Sequence, residues 1–284
     1  MCLYEKCEEI LPKYIEKALR FTKRTPQKID SIRMVSVSII HSKLNVFLKN
    51  DVKYSLIIFT IMTQIVAIEG NIGAGKTTIF DKLKQRLAHD SGVVFMPEPV
   101  DIWESIAGSD GETILAKFYR DPIKYAFSFQ VMAYSTRLAM LRKTIKENPH
   151  CSTIICERSL EADRNIFAKM LRASGKMEDV EYQIYEMLYK DTAAEFPLHR
   201  AVYIDSEPEK CLERIGKRAR NGESTIPLDY LANCRQYYDE WLLNETDIPV
   251  LRLDTNPDAT YADGDAEDCG NRWIDQIFAF IARV

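Results

Sequence analysis

The chain has 284 residues, enough for one large domain or two small ones. Its 46% hydrophobic and 28% charged residues are those of a soluble globular protein and exclude a disordered or fibrous one. The formal net charge is −4, with residues 1–62 at +5 (11 Lys/Arg against 6 Asp/Glu) and the remainder at −9; an acidic body argues against a nucleic-acid partner.

In chain order, the first expected element is a helix from Leu3 to Lys23, ending before Thr25-Pro26. No other clear apolar period follows in residues 1–62. They read as an N-terminal extension, poorly ordered or non-catalytic, with Met62-Thr63-Gln64 as a plausible natural start of the working domain, residues 63–284. Glu5, Glu8, Glu9 and Glu16 fit neither a secretory signal nor an acid-poor mitochondrial presequence, so a cytoplasmic protein is expected. The longest uncharged run, Tyr54–Ile68, is too short to span a bilayer, so no membrane association is expected. The 7 cysteines form no Cys-x-x-Cys pair and are odd in number, which fits a reduced compartment. The 4 histidines are widely separated and suggest no zinc site.

Gln64–Glu69 reads as a buried strand, and it runs into Gly70-Asn71-Ile72-Gly73-Ala74-Gly75-Lys76-Thr77-Thr78. This is a complete phosphate-binding loop of the form Gly-x-x-x-x-Gly-Lys-[Ser/Thr]. Its backbone N–H groups face phosphate oxygens, Lys76 reaches the β and γ phosphates, and the Thr77 hydroxyl is suited to Mg²⁺. ATP or GTP binding follows.

Further strands are expected at Val93–Met96, Thr153–Cys156, Ala201–Ile204 and Val250–Leu253. Between them, helices are expected at Thr77–Ala88, Thr113–Tyr119, Pro122–Lys146, Leu160–Ser174, Val180–Glu195, Pro208–Arg218, Leu228–Leu243 and Ala266–Ala282. Asp121-Pro122 and Glu207-Pro208 are start signals, a polar cap followed by Pro at the first helical position. Alternation of this kind predicts an α/β fold, a five-stranded parallel sheet with helices on both faces and ligands at the C-terminal strand ends.

Three groups of residues near those ends can carry chemistry. Glu98, between Pro97 and Pro99, can take a proton from an attacking hydroxyl, an assistance worth about 10²–10⁴-fold. Read alone it is as readily a turn carboxylate. Glu157-Arg158-Ser159 closes the third strand, where Glu157 can hold Mg²⁺ and Arg158 can bridge acceptor and phosphate. An isolated Glu-Arg dipeptide is more often a surface ion pair. Arg214, Arg218 and Arg220 can form a lid that closes over a triphosphate, or simply a solvated basic face.

Together these blocks closely resemble the deoxynucleoside kinases, the group of deoxycytidine, deoxyguanosine and mitochondrial thymidine kinases and the insect multisubstrate enzyme. The matching stretches are Gly70–Thr78, Glu98-Pro99-Val100 with Trp103, and Phe118–Pro122. Phe129-Gln130, Glu157–Ser159, Asp163–Phe167 and Arg214–Glu223 followed by Ile226–Leu231 match as well. The resemblance implies a P-loop kinase fold with an arginine-rich lid, and transfer of a phosphoryl group from ATP, with Mg²⁺, to a deoxynucleoside 5′-hydroxyl. Glu98 would be the base, with Arg158 beside it and Lys76 on the phosphates, while Thr77 and Glu157 would serve Mg²⁺. Tyr119 and Glu223 would hold the sugar 3′-hydroxyl, Gln130 the base edge, and Phe167 would stack on the base. Ile72, Val100, Trp103, Leu115 and Phe129 would wall the pocket. Asp254, Asn256 and Asp258 would lie in the loop beside the donor adenine.

Helical spacing adds one point of its own. Gln130 and Arg137 share a face of one helix and Asp163 and Phe167 a face of another, so Arg137 and Asp163 could pair at the pocket floor. An arginine and an aspartate at these positions resemble the deoxycytidine and deoxyguanosine enzymes, which predicts deoxycytidine or purine deoxynucleosides over thymidine. The short Trp103–Ile114 segment resembles the insect enzyme instead. Family members are commonly homodimers, packed through the long helices; here Pro122–Lys146 and Leu160–Ser174 are the candidates. The alternatives are a thymidylate-kinase-like enzyme, whose usual arginine and glycine around the Glu-Pro turn are Pro97 and Val100 here, and a non-catalytic subunit of the same fold.

Overall fold

Water reaches neither side of the apolar run before the phosphate loop: Val66, Ala67 and Ile68 are each 0% exposed. That is the mark of a strand covered on both faces. The run forms β1 (Gln64–Gly70), the centre of an all-parallel sheet with β2 (Val93–Met96), β3 (Thr153–Glu157), β4 (Arg200–Asp205) and β5 (Val250–Asp254) in the order β2-β3-β1-β4-β5. The computed structural model describes residues 63–282, apart from 194 and 221, so residues 1–62 and the helix expected at Leu3–Lys23 lie outside the described residues.

Successive side chains of a strand point to opposite faces, and the two cores divide accordingly. Ile65, Ala67, Ile154, Cys156, Ala201 and Tyr203 belong to one core. Val66, Ile68, Ile155, Val202 and Ile204 belong to the other. Truncating one of these residues, as in Ile68→Ala, should cost about 2–5 kcal/mol. On the first face lie α3 (Ile114–Arg120), α4 (Pro122–Glu147) and a helical stretch made of α5 (Leu160–Ala162), a π-helical segment (Asp163–Ala168) and α6 (Lys169–Ala173), with α7 (Asp179–Ala193) outside them. The second face is covered by α1 (Lys76–Arg86), α8 (Pro208–Arg218) and α10 (Cys269–Ala282). Helix α9 (Leu228–Asp239) sends Leu231 to one core and Cys234 and Tyr238 to the other.

The helix starts obey local chemistry. Asp121 caps α4 by accepting from the Lys124 N–H at 3.3 Å, with Pro122 at the first position. Thr113 caps α3 through Ala116 N, and Ser159 caps α5 through Ala162 N. The expected single helix Leu160–Ser174 is interrupted by its π segment, and that of Leu228–Leu243 ends in a second one, Glu240–Glu245; such wider turns often mark functional sites. A short helix not expected from the sequence, α2 (Val100–Ser105), follows Pro99. Because all strands run the same way, Gly70, Met96, Glu157, Asp205 and Asp254 share one edge of the sheet.

Candidate active site

A cleft of about 630 Å³ opens along that edge. At one end is the loop from β1 to α1. Gly70 and Gly73 have φ of 145° and 80°, and an added Cβ would meet the Ile204 carbonyl oxygen at 2.5 Å and the Cys211 carbonyl oxygen at 2.4 Å. Only glycine fits both the conformation and the space. No side chain caps α1, so its first N–H groups face the cleft as an anion site. Lys76 Nζ donates to the Asn71 carbonyl at 2.8 Å, and the Asn71 amide donates to the Leu231 carbonyl at 2.8 Å, tying the loop to α9. Burial, then the nearby charge of Arg158, bring the Lys76 ammonium down to about 8.

The middle of the cleft holds a linked set of charges. Glu98 Oε1 accepts from Arg158 Nε at 3.1 Å and from Arg137 Nη2 at 3.2 Å. Burial alone would raise this carboxyl, but Arg158, Arg137 and Lys76 outweigh it and hold it at about 2. Thr77 Oγ1 donates to Glu157 Oε1 at 2.7 Å. Burial, then the negative charge of Glu98, push the Glu157 carboxyl up. Arg158 itself has φ 68°, a left-handed conformation that costs an L-residue roughly 1–2 kcal/mol. Its guanidinium also donates to the Gly70 carbonyl at 3.3 Å and lies 4.7 Å from the Phe167 ring centroid.

The far end is the apolar pocket. Arg137, 1% exposed, pairs through Nε with Asp163 Oδ2 at 2.9 Å and donates through Nη1 to the Glu157 carbonyl at 2.9 Å. Burial pushes the Asp163 carboxyl up, and Arg137 pulls against it. Phe129 stacks on Phe118 at 4.7 Å and meets Trp103 edge-on at 5.6 Å. Trp103 Nε1 donates to Thr136 Oγ1 at 2.9 Å, so the indole is fixed. Gln130 is 2% exposed, and its buried Oε1 has no protein partner. A polar atom buried in a pocket without a partner is one that a ligand can satisfy.

The lid is built from α8 and the turn after it. Arg214 Nη1 donates to the Ala74 carbonyl of the phosphate loop at 3.2 Å, and Nη2 donates to the Thr255 carbonyl at 2.8 Å. Arg218 and Arg220 both pair with Glu223, the latter at 3.3 Å. A Cβ on Gly222 would come within 2.9 Å of Ala116 Cα, so this turn closes against α3, the helix carrying Leu115 and Tyr119. The Tyr119 ring meets Tyr230 edge-on at 6.5 Å.

The structure thus gathers most of the expected residues around one cleft: Ile72, Gly73, Ala74, Gly75, Lys76, Thr77 and Thr78 with Glu98, Glu157 and Arg158, the lid arginines with Glu223, and the pocket residues Trp103, Leu115, Tyr119, Phe129, Gln130, Arg137, Asp163 and Phe167. Gly70 and Asn71 support the loop from behind. Val100 packs against the core rather than lining the cleft. Asp258 lines it, while Asp254 and Asn256 hydrogen-bond to each other at 2.8 Å away from it. Residues the sequence did not single out are Lys217, Tyr230, Tyr261 and Trp273 on the lining, and Glu69 and Tyr238 behind Arg158. Glu69 adjoins the phosphate loop, and that adjacency was a usable signal. Tyr238 is one of several tyrosines on a helix, and nothing in its spacing marks it.

The profile of the family described as "Deoxynucleoside kinase" matches residues 66–278. The chain belongs to the deoxynucleoside kinase family. It is 35% identical to the deoxycytidine kinase of Mus musculus over 68% of this chain and 84% of that one. The deoxycytidine kinase of Homo sapiens is 34% identical over the same shares. A mitochondrial deoxyguanosine kinase of Xenopus laevis is 28% identical over 76% of this chain and 89% of that one. The chain is therefore a kinase that phosphorylates deoxynucleosides, with the α/β fold expected for that family. The match decides against the thymidylate-kinase-like reading.

Proposed function

We propose that this deoxynucleoside kinase transfers the γ-phosphoryl group of ATP to the 5′-hydroxyl of deoxycytidine and/or purine deoxynucleosides in preference to thymidine, in nucleotide salvage. The observation that carries the preference is the buried Arg137–Asp163 pair at the pocket floor, beside the unpartnered Gln130 Oε1. A fixed guanidinium and carboxylate offer hydrogen bonds to a polar base edge. A site built for such hydrogen bonds rejects a ligand that leaves them unpaired.

In this reading the base lies between Phe167 and the pocket wall, with Gln130 on its edge, and Tyr119 and Glu223 hold the sugar 3′-hydroxyl. Glu98 orients the 5′-hydroxyl and takes its proton as the new O–P bond forms. The β–γ bridging oxygen keeps the electrons of the bond that breaks and leaves on ADP. With a carboxyl at about 2, Glu98 is a weak base in the empty site. In a loose phosphoryl-transfer transition state the proton leaves late, when the oxygen has become acidic, so a weak base suffices. Arg158, Lys76 and the lid arginines spread the charge of the transferring group.

Thr77 and Glu157 suit Mg²⁺: a hydroxyl and a carboxylate touch at 2.7 Å, and the carboxyl is raised by burial and by Glu98, a strain that a cation would relieve. When bound, Mg²⁺ supplies neutralisation of β- and γ-phosphate charge. A homodimer is also part of this reading. The large apolar residues of Leu160–Ser174 are buried in the core, whereas Ile123 of α4 and Val180, Ile184, Met187 and Leu188 of α7 are exposed. Among the described residues, the thiols Cys151, Cys156, Cys211, Cys234 and Cys269 are free, which fits the reducing compartment that the proposed cytoplasmic site of action provides. No described helix is long and apolar enough to cross a membrane. Residues 63–284 form the catalytic unit here, supported by a family match that starts at residue 66; a 63–284 truncation without turnover would reject that boundary.

The test is ATP consumption by the purified protein with each of the four deoxynucleosides and with dTMP. Deoxycytidine or a purine deoxynucleoside should be turned over faster than thymidine. Thymidine as the best substrate, or turnover of dTMP only, rejects the proposal.

A further inference from the structure

Behind Arg158, on the side away from the cleft, lies a buried carboxylate–phenol pair that no step above uses. Glu69 is 0% exposed at the end of β1 and Tyr238 is 0% exposed on α9. The Tyr238 hydroxyl donates to Glu69 Oε2 at 3.4 Å and accepts from Arg158 Nη1. Glu69 Oε1 accepts from the backbone N–H of Ser159 at 2.8 Å. The Tyr238 ring is itself fixed, stacked on Tyr203 at 5.7 Å and 19°.

These contacts hold Arg158 at both its ends. Its own N–H donates to the Ile68 carbonyl at 3.0 Å, and the next N–H goes to Glu69. The left-handed φ of 68° is therefore clamped between consecutive residues of β1. At the tip, Nη1 is held by Tyr238 and the Gly70 carbonyl while Nε is left to Glu98. A guanidinium has five N–H donors in a fixed fork, so fixing one arm fixes where the others point.

We propose that Glu69 and Tyr238 are positioning residues for the reaction. They hold Arg158, in a conformation it would otherwise leave, at the angle needed to serve Glu98 and the transferring phosphoryl group. Glu69 does this twice, through the Ser159 peptide and through the Tyr238 hydroxyl. This rests on the reading of Arg158 as a group that acts at the phosphoryl.

A group that acts only through another is silent once the other is removed. Tyr238→Phe keeps the ring and its stacking and deletes only the hydroxyl. It should lower kcat about 10–100-fold, by analogy with the loss when the outer hydrogen-bond partner of a metal ligand is removed. KM for ATP and for deoxycytidine should change little. Glu69→Gln should act in the same direction, and it decides the matter if Tyr238→Phe does not fold. In an Arg158→Lys background neither substitution should reduce kcat further. Unchanged kcat in both single variants, or a full additional loss in the Arg158→Lys background, overturns the proposal. If Arg158→Lys itself keeps wild-type kcat, the role of Arg158 has failed, an outcome distinct from additivity.

Discussion

Arg137 Nη2 stands 3.2 Å from Glu98 Oε1 while its Nε stands 2.9 Å from Asp163 Oδ2. One guanidinium therefore joins the pocket floor to the residue proposed as the base. Arg137→Met should consequently change two things. The thymidine-to-deoxycytidine ratio of kcat/KM should rise about 10-fold or more as the polar floor is lost. Glu98 should become more basic because one of the cations holding it down is gone, moving the acid limb of the kcat–pH profile to higher pH. The single variant leaves Asp163 buried and unpaired, so denaturation should show a loss of about 3–5 kcal/mol. Substrate competition assays across pH check this, and unchanged substrate ratios would refute the pocket-floor argument.

Glu98→Gln should keep ATP binding and lose about 10²–10⁴-fold in turnover. The same substitution has a signature in stability. The folded carboxyl is held at about 2, below its ordinary value of 4.5, so it stabilises the fold fully above pH 4.5 and loses that contribution as pH falls through about 2. The variant should unfold with less acid dependence across this window. Wild-type-like turnover in a single-turnover experiment would remove Glu98 as the base.

Much of this site is legible in the sequence, and the reason is local. The phosphate loop, Glu98 between prolines and Glu157-Arg158 at a strand end are short motifs in which neighbours in sequence are neighbours in space. Helical spacing also left the Arg137–Asp163 pair open, by placing each residue on one face of its own helix. What stayed hidden depends on long-range packing. Glu69 meets Tyr238 across 169 positions of sequence, and no local period announces that. The π turns at Asp163–Ala168 and Glu240–Glu245 carry the same apolar pattern as ordinary helix. Helix α2 is 6 residues long, too short for a period to register. The pairing of Arg218 and Arg220 with Glu223 joins arginines read as a phosphate lid to a carboxylate that only the family resemblance assigned, and assigned to the sugar.

Glu157→Gln should raise the Mg²⁺ concentration needed for half-maximal turnover, because Glu157 Oε1 already sits 2.7 Å from the Thr77 hydroxyl and a neutral amide binds a hard cation weakly. Saturating Mg²⁺ should recover part of the lost rate. A Mg²⁺ titration of turnover checks it, and an unshifted half-saturation point would remove Glu157 from the metal site.

Lys76 gives ATP binding its own pH dependence. In the empty site its ammonium is at about 8, and binding the triphosphate favours the charged form, raising that value. Below pH 8 the lysine is already protonated and affinity should be flat. Above pH 8 a proton must be taken up on binding, so Kd for ATP should rise by up to about 10-fold per pH unit. Lys76→Met should bind ATP weakly with no such slope. Fluorescent-nucleotide titrations from pH 7 to pH 9.5 measure this directly, and a flat wild-type profile would contradict it.

Val180, Ile184, Met187 and Leu188 recur at helical spacing on α7, with Val180 58% and Met187 57% exposed, and Ile123 of α4 is 76% exposed. Apolar side chains at such intervals form one stripe along a helix, and an exposed stripe marks an interaction surface more often than isolated apolar residues do. A second copy of the chain is the proposed occupant, packed through α4 and α7 about a two-fold axis, so each stripe would be covered by its own equivalent. Ile184→Glu with Met187→Glu introduces two charges on each side of that contact. This double variant should be a monomer by light scattering at concentrations where the wild type is expected to be a dimer, with the sheet and both cores intact by circular dichroism. A wild-type protein that is itself monomeric, or a double variant that remains dimeric, would reject this face as the interface.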